Sequence, residues 1–160
     1  METTLIILKP DAVQRGLMGR ILSRFEGKGL KVVGGKFIQI SEELAGKHYS
    51  DHAGKPFYAS LVAYMTGSPV LVLAIRGANA IAVCRKMMGA TAGMDADPGT
   101  IRGEFCNSKA FNLVHGSDSP EAAEKELGLF FSEGEILDYE RSVDAWIKKY
   151  VLVGMRIEAD

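Results

Sequence analysis

Apolar positions change period several times along the chain, and each change marks an element. Leu5-Ile6-Ile7-Leu8 is a short continuous apolar run, the pattern of a buried strand. It stops at Lys9-Pro10-Asp11, because proline cannot donate to a sheet ladder. Ile21, Leu22, Phe25 and Leu30 then recur at helical spacing with polar residues between them, and Gly27 and Gly29 mark the end of that helix. Residues 32–40 are β-branched and apolar enough for a second strand, in which Gly34-Gly35 suggests a bulge or close packing. Ser41-Glu42-Glu43 opens a short helix that ends near Tyr49, and a second helix covers about residues 56–65. After the turn Gly67-Ser68-Pro69, residues 70–75 form the clearest buried strand, and residues 79–88 read as a helix. Residues 90–109 show no clear periodicity and carry Gly93, Pro98, Gly99 and Gly103; a loop that long in a small domain is usually functional. A short strand at 111–115 and a helix at about 119–131 complete the pattern.

This order of elements predicts an α/β chain of the α+β sandwich type. The arrangement is a ferredoxin-like split βαβ, with a four-stranded antiparallel sheet covered by helices. The fold alone names no function. A length of 160 residues fits one domain, and 47% hydrophobic with 24% charged residues is ordinary for a chain with a real core. The net charge of -1 gives no bulk attraction to nucleic acid, so an anionic ligand needs a local cluster of positive groups. Cys84 and Cys106 form no Cys-x-x-Cys pair, which argues against a zinc ribbon or redox motif and for a reducing, cytoplasmic compartment. The N-terminus has no basic start or cleavage site, so no signal peptide is expected, and no apolar run is long enough to span a bilayer.

Three tempting motifs fail. Gly35-Lys36 is followed by Phe37, not by the Ser or Thr of a phosphate-binding loop. No Gly-x-Gly-x-x-Gly follows the first strand. His48 and His52 are spaced i, i+4, but Tyr49 stands where a metalloprotease has its glutamate, so both are expected to face solvent.

Asn112-Leu113-Val114-His115-Gly116-Ser117-Asp118-Ser119 is more informative. It puts a histidine at the end of an apolar strand, just before a helix that Asp118 or Ser119 can cap and Pro120 can open. Free N–H groups at a helix start attract anions, and a neutral imidazole is a competent nucleophile toward phosphorus. The residues alone leave this reading level with a core histidine bonded to backbone. Glu126 shares the inward face of the following helix with Ala122, Ala123, Leu127 and Phe130. A buried carboxylate needs a partner, and a histidine ring nitrogen would serve; a glutamate at the rim of the core is the alternative. Lys9, Arg85 and Arg102 are the candidate phosphate ligands, though any one alone is more often a solvated charge. Thr91 could donate a hydroxyl, Phe57 and Leu61 could form an apolar slot for a base, and Tyr49 could reach a phosphate or pack against the sheet.

These residues resemble the nucleoside diphosphate kinase family over about residues 3–147. The likeness rests on Lys9-Pro10-Asp11-Ala12-Val13-Gln14-Arg15-Gly16, Pro98-Gly99-Thr100-Ile101-Arg102-Gly103 and the histidine segment above. It implies transfer of a terminal phosphoryl group from a nucleoside triphosphate to a diphosphate by a ping-pong route through His115, maintaining triphosphate pools. By position Glu126 and Ser117 would orient His115, and Lys9 and Tyr49 would meet the transferring group. Arg85, Thr91 and Arg102 would hold the other phosphates. Phe57 and Leu61 would hold the base, and Asn112 the ribose. The resemblance also implies Mg2+ carried mainly by the nucleotide phosphates, and a homo-oligomer, hexamer favoured over tetramer. The rival reading is a non-catalytic nucleotide-binding regulatory module of the same fold; binding nucleic acid is not expected as a primary role.

The chain departs from the family pattern at Gly93-Met94, at Lys109-Ala110-Phe111 and in its ending. Residues 1–147 are expected to form the kinase domain. Residues 148–160 are a C-terminal extension that could pack on a neighbouring subunit.

Overall fold

The computed structural model describes residues 1–147; the extension at 148–160 lies outside the described residues. Four strands, β1 (Glu2–Leu8), β2 (Lys31–Ile38), β3 (Val70–Gly77) and β4 (Val114–Gly116), form one sheet in the order β2-β3-β1-β4. Every neighbouring pair is antiparallel, with Ile6 opposite Leu73 and Ile7 opposite His115. The helices are α1 (Pro10–Gln14), α2 (Met18–Gly27), α3 (Glu42–His48), α4 (Tyr58–Thr66), α5 (Ala80–Met88), α6 (Ile101–Phe105), α7 (Pro120–Phe130) and α8 (Asp144–Ile147). This is the expected ferredoxin-like sandwich. Among the described residues no helix is long and apolar enough to cross a membrane.

The unbroken apolar run of β1 has a direct cause: both faces of the strand are covered. Successive side chains of a strand point to opposite faces. Ile6 and Leu8 therefore pack with Ile21, Phe25, Cys84 and Met88 of α2 and α5. Leu5 and Ile7 pack with Tyr49, Met65 and Phe130 on the side of α3, α4 and α7. In β2 the pairing slips between Val32 and Gly34, the expected bulge. Close packing is there too, since a Cβ on Gly34 would lie 3.0 Å from both the Glu135 carbonyl oxygen and the Phe131 ring.

Three stretches differ from the sequence expectation. The short helix α1 follows β1 directly, with Pro10 in its first turn, where a missing N–H costs nothing. The segment 90–109 is not a bare loop. It contains a single 3-10 turn, Gly93–Asp95, and α6, whose start is capped by the Thr100 hydroxyl accepting from the Gly103 N–H at 3.0 Å. A five-residue helix is too short to show a 3.6-residue period. Finally, β4 begins at Val114 and not at residue 111, because Leu113 has a φ of 68° and leaves the extended conformation.

Phe25 is fully buried between α2 and the sheet. Phe25→Ala should cost about 3–5 kcal/mol, seen as a lower urea midpoint at an unchanged m-value; a midpoint close to the parent's would contradict this packing.

Candidate active site

The site assembles around β4. Hydrogen bonding to β1 presents His115 opposite Ile7, and Ser119 then caps α7 by accepting from the Ala122 N–H at 3.0 Å. The cap fixes where α7 starts, and eleven positions beyond His115 it returns Glu126 beneath the imidazole. His115 Nε2 lies 3.1 Å from both carboxylate oxygens of Glu126. Ser117 donates its hydroxyl to Glu126 Oε2 at 2.5 Å and accepts from the Leu5 N–H at 3.3 Å. The His115 side chain is 22% exposed, so part of the ring reaches solvent. Burial pushes the Glu126 carboxyl up, but the hydrogen bond and charge of His115, with the Ser117 hydroxyl, together hold it below the usual range. The carboxylate therefore stays ionised. A carboxylate can only accept, so Nε2 carries the proton and Nδ1 keeps the lone pair.

The cations converge on the same strand. Arg102 donates from Nη2 to the Val114 carbonyl at 2.6 Å, and Arg85 from Nη1 to the Gly116 carbonyl at 3.4 Å, one on each side of His115. Arg102 is buried and also donates to the carbonyls of Asn112 (3.0 Å) and Gly89 (2.9 Å), so much of its guanidinium ties the loop to β4. Burial, and then the charge of Arg85, lower its pKa to about 10, which leaves it charged at neutral pH. Lys9 is buried and donates from Nζ to Asn112 Oδ1 at 2.7 Å. Desolvation and the neighbouring Arg102 lower it to about 8. Asn112 in turn donates from Nδ2 to the Thr91 carbonyl at 3.1 Å, which draws the exposed Thr91 to the site.

Asp11 received no role from the sequence, although it stands in the Lys-Pro-Asp motif. One of its carboxylate oxygens accepts from the Leu113 N–H at 3.1 Å and the other from the Tyr64 hydroxyl at 2.5 Å. The Lys9 N–H donates to the Leu113 carbonyl at 2.8 Å. Together they hold Leu113 in the left-handed region, an uncommon state for a non-glycine residue. That turn places Asn112 on one side and His115 on the other.

His48 corrects the expectation of a solvent-facing residue. Its side chain is 1% exposed, packed edge-on against the rings of Tyr49, His115 and Phe130 at 4.5, 4.8 and 5.3 Å. Burial, and then the nearby His115, push its pKa down to about 3, so it is neutral. His52 is half-buried, stacked on Tyr49 at 6.2 Å and edge-on to Phe57 at 5.5 Å. A chain of rings thus runs from Phe57 through His52, Tyr49 and His48 to His115. Phe57 is about half exposed, with the Lys55 ammonium over its ring at 5.9 Å, whereas Leu61 packs against the core on the side of α3, α4 and α7. The Tyr49 hydroxyl is buried without a partner among the described residues, and burial, then Glu126, raise its pKa. A separate open groove of about 460 Å³, lined by Glu2, Ile81, Ala82, Arg85, Asp118 and Pro120, lies to one side. It shares Arg85 with the cluster around His115 but does not include the imidazole.

In the unfolded chain Lys9 titrates near 10.5, and in the fold near 8. Between those values the unfolded chain holds more protons, so this group makes stability rise with pH there, and its penalty is full below pH 8. Lys9→Met should stabilise the ligand-free protein at pH 7 by on the order of 2 kcal/mol and flatten that rise. Urea unfolding at several pH values checks both, and an unaltered profile would mean a solvated amine.

A model of the family described as nucleoside diphosphate kinase matches residues 2–136. Nucleoside diphosphate kinases from Staphylococcus epidermidis and Roseiflexus castenholzii are 51% and 56% identical over 147 residues, spanning 92% of this chain and 99% of each relative. The solved structure of a halophilic nucleoside diphosphate kinase from Halobacterium salinarum in complex with CDP superposes with a TM-score of 0.90 at 49% identity. It covers 92% of this chain and 99% of that one. A nucleoside diphosphate kinase family protein from Babesia bovis gives 0.90 at 42% identity, covering 92% and 100%. The chain belongs to the nucleoside diphosphate kinase family.

Proposed function

We propose that this chain transfers the terminal phosphoryl group of a nucleoside triphosphate to a nucleoside diphosphate, with Nδ1 of His115 as the covalent carrier. The observation that carries the reading is the Nε2 contact with Glu126, which fixes the proton on one nitrogen and leaves the other free. In the first half-reaction the Nδ1 lone pair attacks the terminal phosphorus, the bond to the bridging oxygen breaks, and the diphosphate leaves with that electron pair. Glu126 stabilises the positive charge that develops on the ring. Ser117 keeps the carboxylate in place. A second diphosphate then reverses the step and takes the group.

Lys9 and the Tyr49 hydroxyl would meet the transferring group, whose oxygens would supply the acceptor that the buried hydroxyl lacks. Arg85, Thr91 and the remaining N–H groups of Arg102 would hold the other phosphates, Phe57 and Leu61 the base, and Asn112 the ribose. A regulatory module that only binds nucleotide has no use for a histidine oriented by a buried carboxylate.

Mg2+ would enter on the nucleotide phosphates and neutralise part of their charge. Among the described residues the gathered ligand set is His48, His115 and Glu126, rich in nitrogen and poor in the oxygens that magnesium takes. The protein side of the phosphate cleft is cationic, which suits a metal that arrives with its substrate. We further propose a cytoplasmic homo-hexamer. The free thiols of Cys84 and Cys106 fit that compartment, and exposed Phe37 and Met94 offer apolar surface for subunit contacts.

Incubation with terminally labelled ATP and magnesium should give acid-labile protein-bound label that a GDP chase moves to GTP. No label on the parent chain would end the reading, and undiminished labelling of His115→Ala would reject that nucleophile. Glu126→Ala should slow turnover by about ten- to a thousand-fold, as expected for loss of a histidine-orienting group. Light scattering should give the mass of six chains; a mass of four would assign the tetramer. If residues 148–160 pack on a neighbour, deleting them changes that mass, and an identical assembly would discard the idea.

A further inference from the structure

His48, His115 and Glu126 offer one ligand atom each, all within 4.8 Å of one another. The phosphoryl-transfer reading uses two of these residues and leaves His48 without a task. Both ring nitrogens of His48 are buried and have no hydrogen-bond partner among the described residues, an uncommon state for an imidazole. Its Nδ1 faces Glu126 Oε1 at 4.0 Å. Tyr49, His115 and Phe130 wall the ring in, so the side that faces His115 and Glu126 is the one with ligand chemistry.

We propose that His48, His115 and Glu126 form a binding site for a borderline-soft divalent cation, with Zn2+ as the type, and that its occupation inhibits phosphoryl transfer. Two neutral imidazoles and one carboxylate are the donor set zinc takes where a fourth position stays open for water. Zinc holds such ligands at about 2.0–2.2 Å, which places tetrahedral neighbours roughly 3.3 Å apart. The His115–Glu126 separation of 3.1 Å already fits. The 4.0 Å from His48 Nδ1 to Glu126, and the gap to His115 within the 4.8 Å cluster, both close by a movement of the His48 ring toward the other two ligands. Magnesium demands oxygen ligands and is not expected to compete, so the substrate's metal and the inhibitor's metal are separated by chemistry.

Inhibition follows from the tautomer. For Nε2 of His115 to bind the metal, its proton must relocate through solvent to Nδ1. The ring then has no lone pair for phosphorus, even where the cleft stays open. Glu126 keeps one oxygen for Ser117 and gives the other to the metal. The inhibitory half of this proposal rests on the phosphohistidine reading, and the binding half does not.

The test uses the whole, metal-stripped chain without nucleotide, titrated with Zn2+ against a chromophoric chelator. One zinc per chain is expected. His48→Phe and Glu126→Gln should each weaken it about tenfold or more, the scale of loss known for even indirect ligand supports; His52→Ala should leave it intact. Circular dichroism checks that the variants fold. Should His48→Phe not fold, histidine NMR of the parent serves instead, with zinc expected to move the His48 and His115 signals together. Absence of stoichiometric binding, binding that survives His48→Phe, or shifts confined to His52 would overturn the site. In the labelling assay, buffered free Zn2+ should slow phosphohistidine formation and a chelator should restore it. Zinc binding with an unslowed rate would overturn the inhibitory half. A parent chain that never labels without zinc would sink the kinase reading and leave the titration standing.

Discussion

The site depends on an ionised carboxylate held under an imidazole. Glu126 is largely withdrawn from water, and that burial alone would drive it toward the neutral acid. An acid there could donate a proton, and the tautomer of His115 would no longer be fixed. Two hydrogen bonds decide the matter, from the imidazole and from the Ser117 hydroxyl. Ser117 is itself fixed by the Leu5 N–H of the central strand, so the sheet register reaches the nucleophile through one hydroxyl. Chemistry at Nδ1 is thus a consequence of pairing geometry in β1.

The opposite side of His115 is set by a strained turn. Leu113 adopts a conformation that costs a β-carbon residue roughly 1–2 kcal/mol, and it persists because Asp11 and Lys9 hold both its amide and its carbonyl. The turn delays the start of β4 to Val114, turns Asn112 toward Lys9 and leaves its backbone carbonyl for Arg102. Arg102 then bridges three segments of chain through three carbonyls, a role closer to a staple than to a free phosphate ligand. Its charge still faces Lys9 and Arg85, and the mutual repulsion of these cations is a cost that a bound anion would remove.

Much of this was legible in the chain. The runs at β1 and β3 announced themselves because both faces of those strands are buried, and the capped helix after His115 put Glu126 on its inward face. Other parts were silent for physical reasons. Asp11 in the first turn of a helix looks like an ordinary dipole partner, and its acceptor role depends on Leu113, about a hundred residues away. Arg102 reads as a surface charge because no local pattern reveals three carbonyls. Helix α6 is too short for periodicity. His48 reads as solvent-facing from its spacing to His52, yet α3 packs against α4 and α7 and turns His48 onto Phe130, so the two histidines meet different environments.

The burial of His48 bears directly on the central interaction. A protonated imidazole 4.0 Å from Glu126 would compete with His115 for the same carboxylate and repel the charge that develops on His115 during transfer. Its burial among Tyr49 and Phe130, and then the nearby His115, push its pKa to about 3, so it is neutral at neutral pH, where the Glu126 carboxylate is ionised. An isosteric cation at this position would be worse than an apolar ring. The same desolvation that strips His48 of hydrogen-bond partners therefore secures the undivided attention of Glu126 for one nitrogen, and leaves beside it a second lone pair that only an electrophile small enough to enter between the rings can use.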